Sequence, residues 1–297
     1  MPTPSAQSSP IPVTAIVLTL NEAENIRACL AGLARVADIV VLDSGSNDGT
    51  VELARAERPG VRVIEHPFRD FGEQRNYAID NCGAGVEWIL FVDADEYCTD
   101  AFLDEVARFI ADPGDKVGAY VAGKNYFLGR WLKYSTLYPS YQLRLLKRGH
   151  VRFRKEGHGQ LELADGPLHY FAEGWRHEPF QRGVSHWMDR HNRYTTEEAE
   201  LQRRAGREPV HFAGLISRNV VTRRRALKHL AARLPGRPLI HFLYLYLVRG
   251  GFRDGYPGLL YCALVLANQI YTQAKVAEAQ FRASPTRDRS EQRRSVR

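Results

Sequence analysis

The chain is short of the features that mark several large protein classes. Only four cysteines occur in 297 residues, Cys29, Cys82, Cys98 and Cys262. None stands in a CxxC pair or at zinc-type spacing from histidine, which excludes a disulfide scaffold and argues for a reducing compartment. Neither GxGxxG nor a GK[ST] loop is present, so dinucleotide and P-loop cofactors are disfavoured. The opening MPTPSAQSSPIP has no basic start and no apolar core, and residues 1–12 read as a disordered leader instead of a secretory signal. Two apolar runs near the C-terminus, Leu239–Val248 and Tyr256–Ala267, fall short of the roughly 20 residues a membrane span needs. No internal repeat is visible.

What is present is ordinary in bulk and uneven in distribution. Hydrophobic residues make up 44% and charged residues 25%, enough for a proper core. The net charge of +7 hides a division: from Leu215 onward there are 16 Lys/Arg against 4 Asp/Glu, leaving the rest of the chain at −5. The basic character therefore belongs to the C-terminal quarter and needs its own explanation.

Short β-branched runs at 13–19, 38–42, 61–65 and 88–92 alternate with helical patterns at 50–57 and 71–81. Asn21 is placed to cap a further helix, with Glu22 and Glu24 in its first turn. Such alternation predicts an α/β fold with a parallel, doubly wound sheet. Beyond Pro113 strands are expected at 117–127 and 141–146, then a helix in the second half of 175–202.

Two acidic stretches each close a predicted strand. Asp43 opens DSGSNDGT, and Asp93 opens Asp93-Ala94-Asp95-Glu96. In open α/β sheets, ligands bind outside the carboxyl ends of the strands. Asp93 and Asp95 stand two apart at the end of a strand, so their side chains are expected to leave the same face, and paired oxygen ligands there suit Mg²⁺ or Mn²⁺ shared with a diphosphate. Asp43 is placed to accept from an imide N–H of uracil or from ribose hydroxyls, with Asp48 or Asn47 capping the next helix. Arg75 suits a phosphate or the flank of a base. His169, His177, His186 and His191 match no zinc pattern and are expected to be ordinary, partly exposed histidines. Trp131, Tyr134, Tyr138, Tyr141 and Trp175 divide between core and a sugar-stacking platform.

The strings LTLNEAENI, VVLDSGSNDGT, QRN, DADE and YPSYQLRLLKRGHVRF resemble family 2 glycosyltransferases, closest to bacterial lipopolysaccharide-core and exopolysaccharide enzymes. The resemblance spans roughly residues 13 to 200. It implies a GT-A fold and inverting transfer of a sugar from a nucleotide-sugar donor, a UDP-sugar by family habit. By the family's motifs Thr19, Glu22 and Asp43 hold the nucleoside with help from Arg75, and Asp93 and Asp95 bear the metal. Relatives carry a His-Glu pair after the RLF-like strand; here Gly159 stands where the glutamate would align, leaving Glu156 and His158 as candidates for the general base.

These readings divide the chain into the leader, a catalytic domain at 13–205 (donor half 13–112, acceptor half 113–205), a basic amphipathic region at 206–283, and a disordered tail at 284–297. A basic helix is expected at 216–234, carrying Arg218, Arg223, Arg224, Arg225, Lys228 and Arg233. With its neighbouring apolar runs it suits a membrane surface on the cytoplasmic side and a lipid-linked or saccharide acceptor. Two rival functions remain on the sequence: a non-catalytic nucleic-acid-binding protein, which would leave the acidic edge unexplained, and a nucleotidylyltransferase, whose glycine-rich loop after the first strand is missing.

Overall fold

The computed structural model describes residues 9–82, 85–156, 159–205 and 236–283. It divides into two compact units, 1–183 and 184–297.

The first unit is built on a seven-stranded sheet in the order β12-β6-β9-β4-β1-β2-β3. Its strands are β1 (Ile11–Thr19), β2 (Val36–Asp43), β3 (Arg62–Glu65), β4 (Trp88–Asp93), β6 (Gly118–Ala122), β9 (Tyr141–Lys147) and β12 (Leu168–Tyr170). β1 pairs in parallel with both β2 and β4, β3 with β2, and β12 with β6. β9 alone runs against its neighbours. Parallel strands are covered on both faces and so read as unbroken apolar runs. Here one face (Val13, Ala15, Val17, Val41, Leu90, Val92) packs under α1 (Ile26–Ala31), α2 (Thr50–Glu57) and α4 (Asp100–Ala111). The other (Ile16, Val40, Leu42, Ile89, Phe91) packs under α3 (Phe71–Asn81) and a hairpin of β10 (Val151–Glu156) and β11 (Gly159–Ala164).

Several expectations are corrected. The strand foreseen at 117–127 breaks at Gly123, where a Cβ would lie 2.8 Å from the Trp175 indole nitrogen. Its second half, β7 (Lys124–Phe127), joins a smaller sheet with β5 (Glu96–Tyr97), β8 (Arg130–Trp131) and β13 (Arg176–His177). Asn21 is not a helix cap. It sits in the left-handed region at φ 57°, and α1 begins later, with Asn25 at its N-cap. Trp175 is core, not a sugar platform.

In the second unit α5 spans Gly183–Ala205. The two apolar runs lie in a helix at Arg237–Leu243 continued by a π turn at Tyr244–Val248, and in a long helix at Gly255–Arg282. Lys275 fastens that helix to α5 by donating to the Asn192 carbonyl and to Thr195 and Thr196 hydroxyls at 2.6 to 2.8 Å. No helix among the described residues is long and apolar enough to cross a membrane. The expected basic helix at 216–234 lies outside the described residues.

Candidate active site

Thr19, Asp43 and Asp93 end three adjacent parallel strands. Thr19 is in register with Asp43, and Leu18 with Asp93. The first two form a buried pair: the Thr19 hydroxyl donates to Asp43 Oδ1 at 2.9 Å. Asp43 Oδ1 also accepts from the Ser46 hydroxyl, while Oδ2 takes the backbone N–H groups of Gly45 and Ser46 at 2.9 and 2.8 Å. A carboxylate offers about four acceptor positions, and these four contacts hold Asp43 in place between Thr19 and its own turn.

The loop after β1 is fastened to the loop after β2. Backbone N–H groups of Asn21, Glu22 and Ala23 donate to Ser46 Oγ, Thr50 Oγ1 and Asp48 Oδ2 at 2.8 to 3.1 Å. In return the Asn47 N–H donates to Asn21 Oδ1. Asp48 also accepts from the Thr50 N–H ahead of α2, whose N-cap position is Gly49. The Glu22 carboxylate accepts from Asn25 Nδ2 at 2.6 Å and lies 3.8 Å from Arg182.

The string QRN on α3 ties three segments together. Gln74 donates to Ser44 Oγ at 3.2 Å. Arg75 donates to Asp93 Oδ1 at 3.4 Å and to Gln160 of β11 at 2.6 Å. Asn76 grips both the carbonyl and the N–H of Phe153 in β10, at 2.8 and 3.0 Å. The hairpin approaches so closely that a Cβ on Gly72 would lie 3.0 Å from the Arg154 carbonyl carbon.

Asp93 and Asp95 do not share one strand face. The strand stops at Asp93, and Ala94 and Asp95 form a turn. Asp93 is held by Arg75 and, through Oδ2, by Arg144 of β9 at 2.7 Å. Arg144 also donates to Glu96 at 2.8 Å, and Glu96 accepts from the Asp93 N–H. Asp95 faces His177 of β13, whose Nε2 lies 3.3 Å from Oδ2 and whose Nδ1 lies 2.6 Å from Asn125 Oδ1.

Burial would raise the Asp93 carboxyl, but Arg144 and Arg75 outweigh it and hold the group well below its ordinary range. Burial, aided by the charge on Asp93, pushes Glu96 up to about 7. Burial and the neighbouring Arg144 lower Arg75 to about 10, which leaves it charged at neutral pH. For His177 burial lowers the imidazole, but the Asp95 charge and hydrogen bond overcome it and raise the group from its ordinary value. One nitrogen on each arginine, Arg75 Nε and Arg144 Nη1, is buried with no hydrogen-bond partner among the described residues.

No group of three or more His, Cys, Asp or Glu side chains forms a metal cage among the described residues. The donor set fits a cation completed by its ligand. Asp93 is a third exposed and spends two of its acceptor positions on arginines. Mg²⁺-type sites commonly use one or two carboxylates plus phosphate oxygens.

Sequence reasoning missed Arg144, Glu96 and Gln160, and took His177 for an ordinary histidine. The signal for Arg144 was present: a single charge inside the apolar run QLRLL. Of the two base candidates, Glu156 is exposed at the end of β10, opposite Gly159. His158 lies outside the described residues.

A mixed α/β sheet flanked by helices, with paired loops and acidic groups gathered at its carboxyl edge, defines the GT-A class of sugar-transferring enzymes. Residues 14–161 match the model of glycosyl transferase family 2, and the chain belongs to that family. It is a glycosyltransferase. It is similar to the lipopolysaccharide core biosynthesis glycosyltransferase LpsC of Rhizobium meliloti, at 25% identity over 90% of this chain and 92% of that one. The succinoglycan biosynthesis protein ExoA of the same organism is 33% identical over 31% of this chain and 32% of its own. Among solved structures, TarS 1–349 of S. aureus in complex with UDP-GlcNAc aligns at 16% identity over 90% of this chain and 91% of that one, with TM-score 0.42.

Proposed function

We propose that this glycosyltransferase moves a sugar, with inversion and metal assistance, from a UDP-sugar to a saccharide or lipid-linked acceptor in cell-envelope polysaccharide synthesis. Lipopolysaccharide core is the favoured product, from the likeness to LpsC along nearly the whole chain. The observation that carries the reading is the row of Thr19, Asp43 and Asp93 on adjacent strand ends, flanked by Arg75 and Arg144.

In this reading the paired loops carrying Thr19, Glu22 and Asp43 receive the nucleoside. Arg75 and Arg144 bring two positive charges beside Asp93, and Glu96 sheds part of its charge near neutral pH. The two fixed guanidinium groups favour a diphosphate, whose leaving-group charge fixed cations stabilise. Asp93 and Asp95 would hold Mg²⁺ or Mn²⁺, which neutralises charge on the leaving diphosphate. A base takes the acceptor hydroxyl's proton as that oxygen bonds to the anomeric carbon. The bond from that carbon to the diphosphate breaks, and the nucleoside diphosphate departs. Glu156 is the candidate base on the hairpin, with His158 beside it in sequence.

The catalytic domain is assigned to 13–205 and membrane association to 206–283. Leu239, Ile240, Leu243, Leu247 and Val248 are exposed on one short helical stretch, close in sequence to the arginine-rich 216–234. An apolar face with flanking basic residues suits the inner face of an anionic membrane, and the reading is of a cytoplasmic enzyme peripheral to that surface.

Incubating the enzyme with UDP-sugars, Mn²⁺ or Mg²⁺ and a lipopolysaccharide core acceptor tests the reading. Released UDP with an inverted linkage supports it. Released pyrophosphate identifies a nucleotidylyltransferase, and salt-sensitive duplex binding without sugar turnover identifies a nucleic-acid binder.

A further inference from the structure

On the β10–β11 hairpin, Glu162 stands opposite Phe153, and residues opposed across an antiparallel pair share a face. Phe153 is buried, with its ring 5.9 Å from the Arg75 guanidinium carbon. Glu162 therefore points inward, toward the side of the main sheet that carries α3. Gln160, two residues back on the same face, is the group that accepts from Arg75. Glu162 is half-buried, yet makes no hydrogen bond or ion pair among the described residues. Ala164, two residues further along the same face of β11, packs on the cluster that also receives Tyr120 and Leu168, so the Glu162 face turns toward that aromatic ring; burial and the Glu162 charge push the Tyr120 phenol up.

Tyr120 begins an aromatic patch. It pairs with Tyr170 across β6 and β12, and their rings stack at 4.9 Å. Tyr141, at the start of β9, meets Tyr170 edge-on at 4.9 Å. Tyr141 and Tyr170 are 40% and 56% exposed, large values for aromatic rings within a sheet. The three hydroxyls form no hydrogen bond among the described residues.

The patch reaches the charged site through the hairpin: Gln160, on the same face of β11 as Glu162, accepts from Arg75, and Arg75 donates to Asp93. Neighbouring strands lie about 4.8 Å apart, so Tyr170, three strands from β4, stands roughly 10–15 Å from the Asp93 strand. That reach suits a chain of sugar units better than a single one. A sugar ring has an apolar C–H face, which a flat aromatic surface receives, and a rim of hydroxyls, which a carboxylate receives.

We propose that Tyr141, Tyr170 and Glu162 form a distal acceptor subsite for an oligosaccharide, with one ring on the tyrosines and its hydroxyls donating to Glu162. The proposal rests on the transferase reading for its purpose, and binding alone decides it.

The test titrates the full chain with deacylated lipopolysaccharide core oligosaccharide as a soluble probe. Tyr170→Ala and Glu162→Ala are each expected to weaken binding about tenfold. Tyr170→Phe keeps the ring and is expected to bind like the parent, which separates lost stacking from lost folding. Tyr271→Ala, an exposed tyrosine of the second unit, serves as control and changes nothing. Equal affinity in the parent, Tyr170→Ala and Glu162→Ala overturns the subsite, as does absence of binding to the parent. UDP release from UDP-sugars by the parent is read in parallel. Release with equal affinities leaves the transferase reading standing without this subsite. Loss of release with the expected affinity pattern does the reverse.

Discussion

Replacing Arg144 with methionine probes the charge cluster from its centre. The guanidinium is 2% exposed, donates to Asp93 and Glu96, and lies 5.0 Å over the Trp175 ring. Methionine keeps much of the volume but leaves Glu96, itself 3% exposed, with the Asp93 N–H as its one hydrogen-bond donor among the described residues. Removing one partner of a buried ion pair costs about 3–5 kcal/mol. Asp93 is partly exposed and retains Arg75, so the low end, about 3 kcal/mol at pH 8, is expected. The loss should shrink at pH 5. The folded Glu96 titrates near 7, above its ordinary 4.5, because burial disfavours the charge. A raised carboxyl means that the fold holds the extra proton between those values, so Glu96 is neutral at pH 5 and needs no cation there. By the same sign, its contribution to the parent's stability falls as pH rises from about 4.5 to 7. Adding Glu96→Gln to Arg144→Met removes the stranded charge and should recover about 1–2 kcal/mol at pH 8. Urea unfolding followed by tryptophan fluorescence at pH 5 and pH 8 reads all three. A loss below about 1 kcal/mol at pH 8, or equal losses at both pH values, refutes the account of the cluster.

Three further outcomes are expected. Gly72→Ala, which in an open helix would add up to about 1 kcal/mol, should instead cost about 1–3 kcal/mol in urea unfolding, because its Cβ meets the β10 backbone. Glu156→Gln should leave donor affinity unchanged and lower transfer by about 10²–10⁴-fold in a coupled UDP-release assay; unchanged turnover would assign the base elsewhere. Leu243→Ser with Leu247→Ser should abolish flotation with anionic vesicles but leave the melting temperature unchanged, and continued flotation removes that face from the membrane account.

The strands and the helices α2 and α3 were legible because each is a local pattern: apolar runs closed by Asp43 and Asp93, and α3 capped by Asp70, whose side chain accepts from the Glu73 N–H. The row of site residues was legible for the same reason, since strand ends share one edge. The failures involve partners distant in sequence. Asn21 has the composition of a helix cap, but its side chain serves the Asn47 N–H, 26 residues away. His177 was weighed by its spacing from other histidines, whereas its partner Asp95 lies 82 residues earlier. The side-chain face of Asp95 was misjudged because strand periodicity was carried one turn too far. Arg144 sits in a strand whose pattern speaks only of burial; that a cation is needed there follows from Asp93 and Glu96, which tertiary contact alone supplies.

The central claim is that Asp93, on the strand end beside Thr19 and Asp43, binds the activated sugar's diphosphate. Calorimetric titration of UDP into the parent and Asp93→Asn, with and without Mn²⁺, tests it most directly. The account predicts Mn²⁺-dependent binding to the parent, weakened at least about tenfold by the substitution. Binding that is equal in both proteins and indifferent to Mn²⁺ would contradict it.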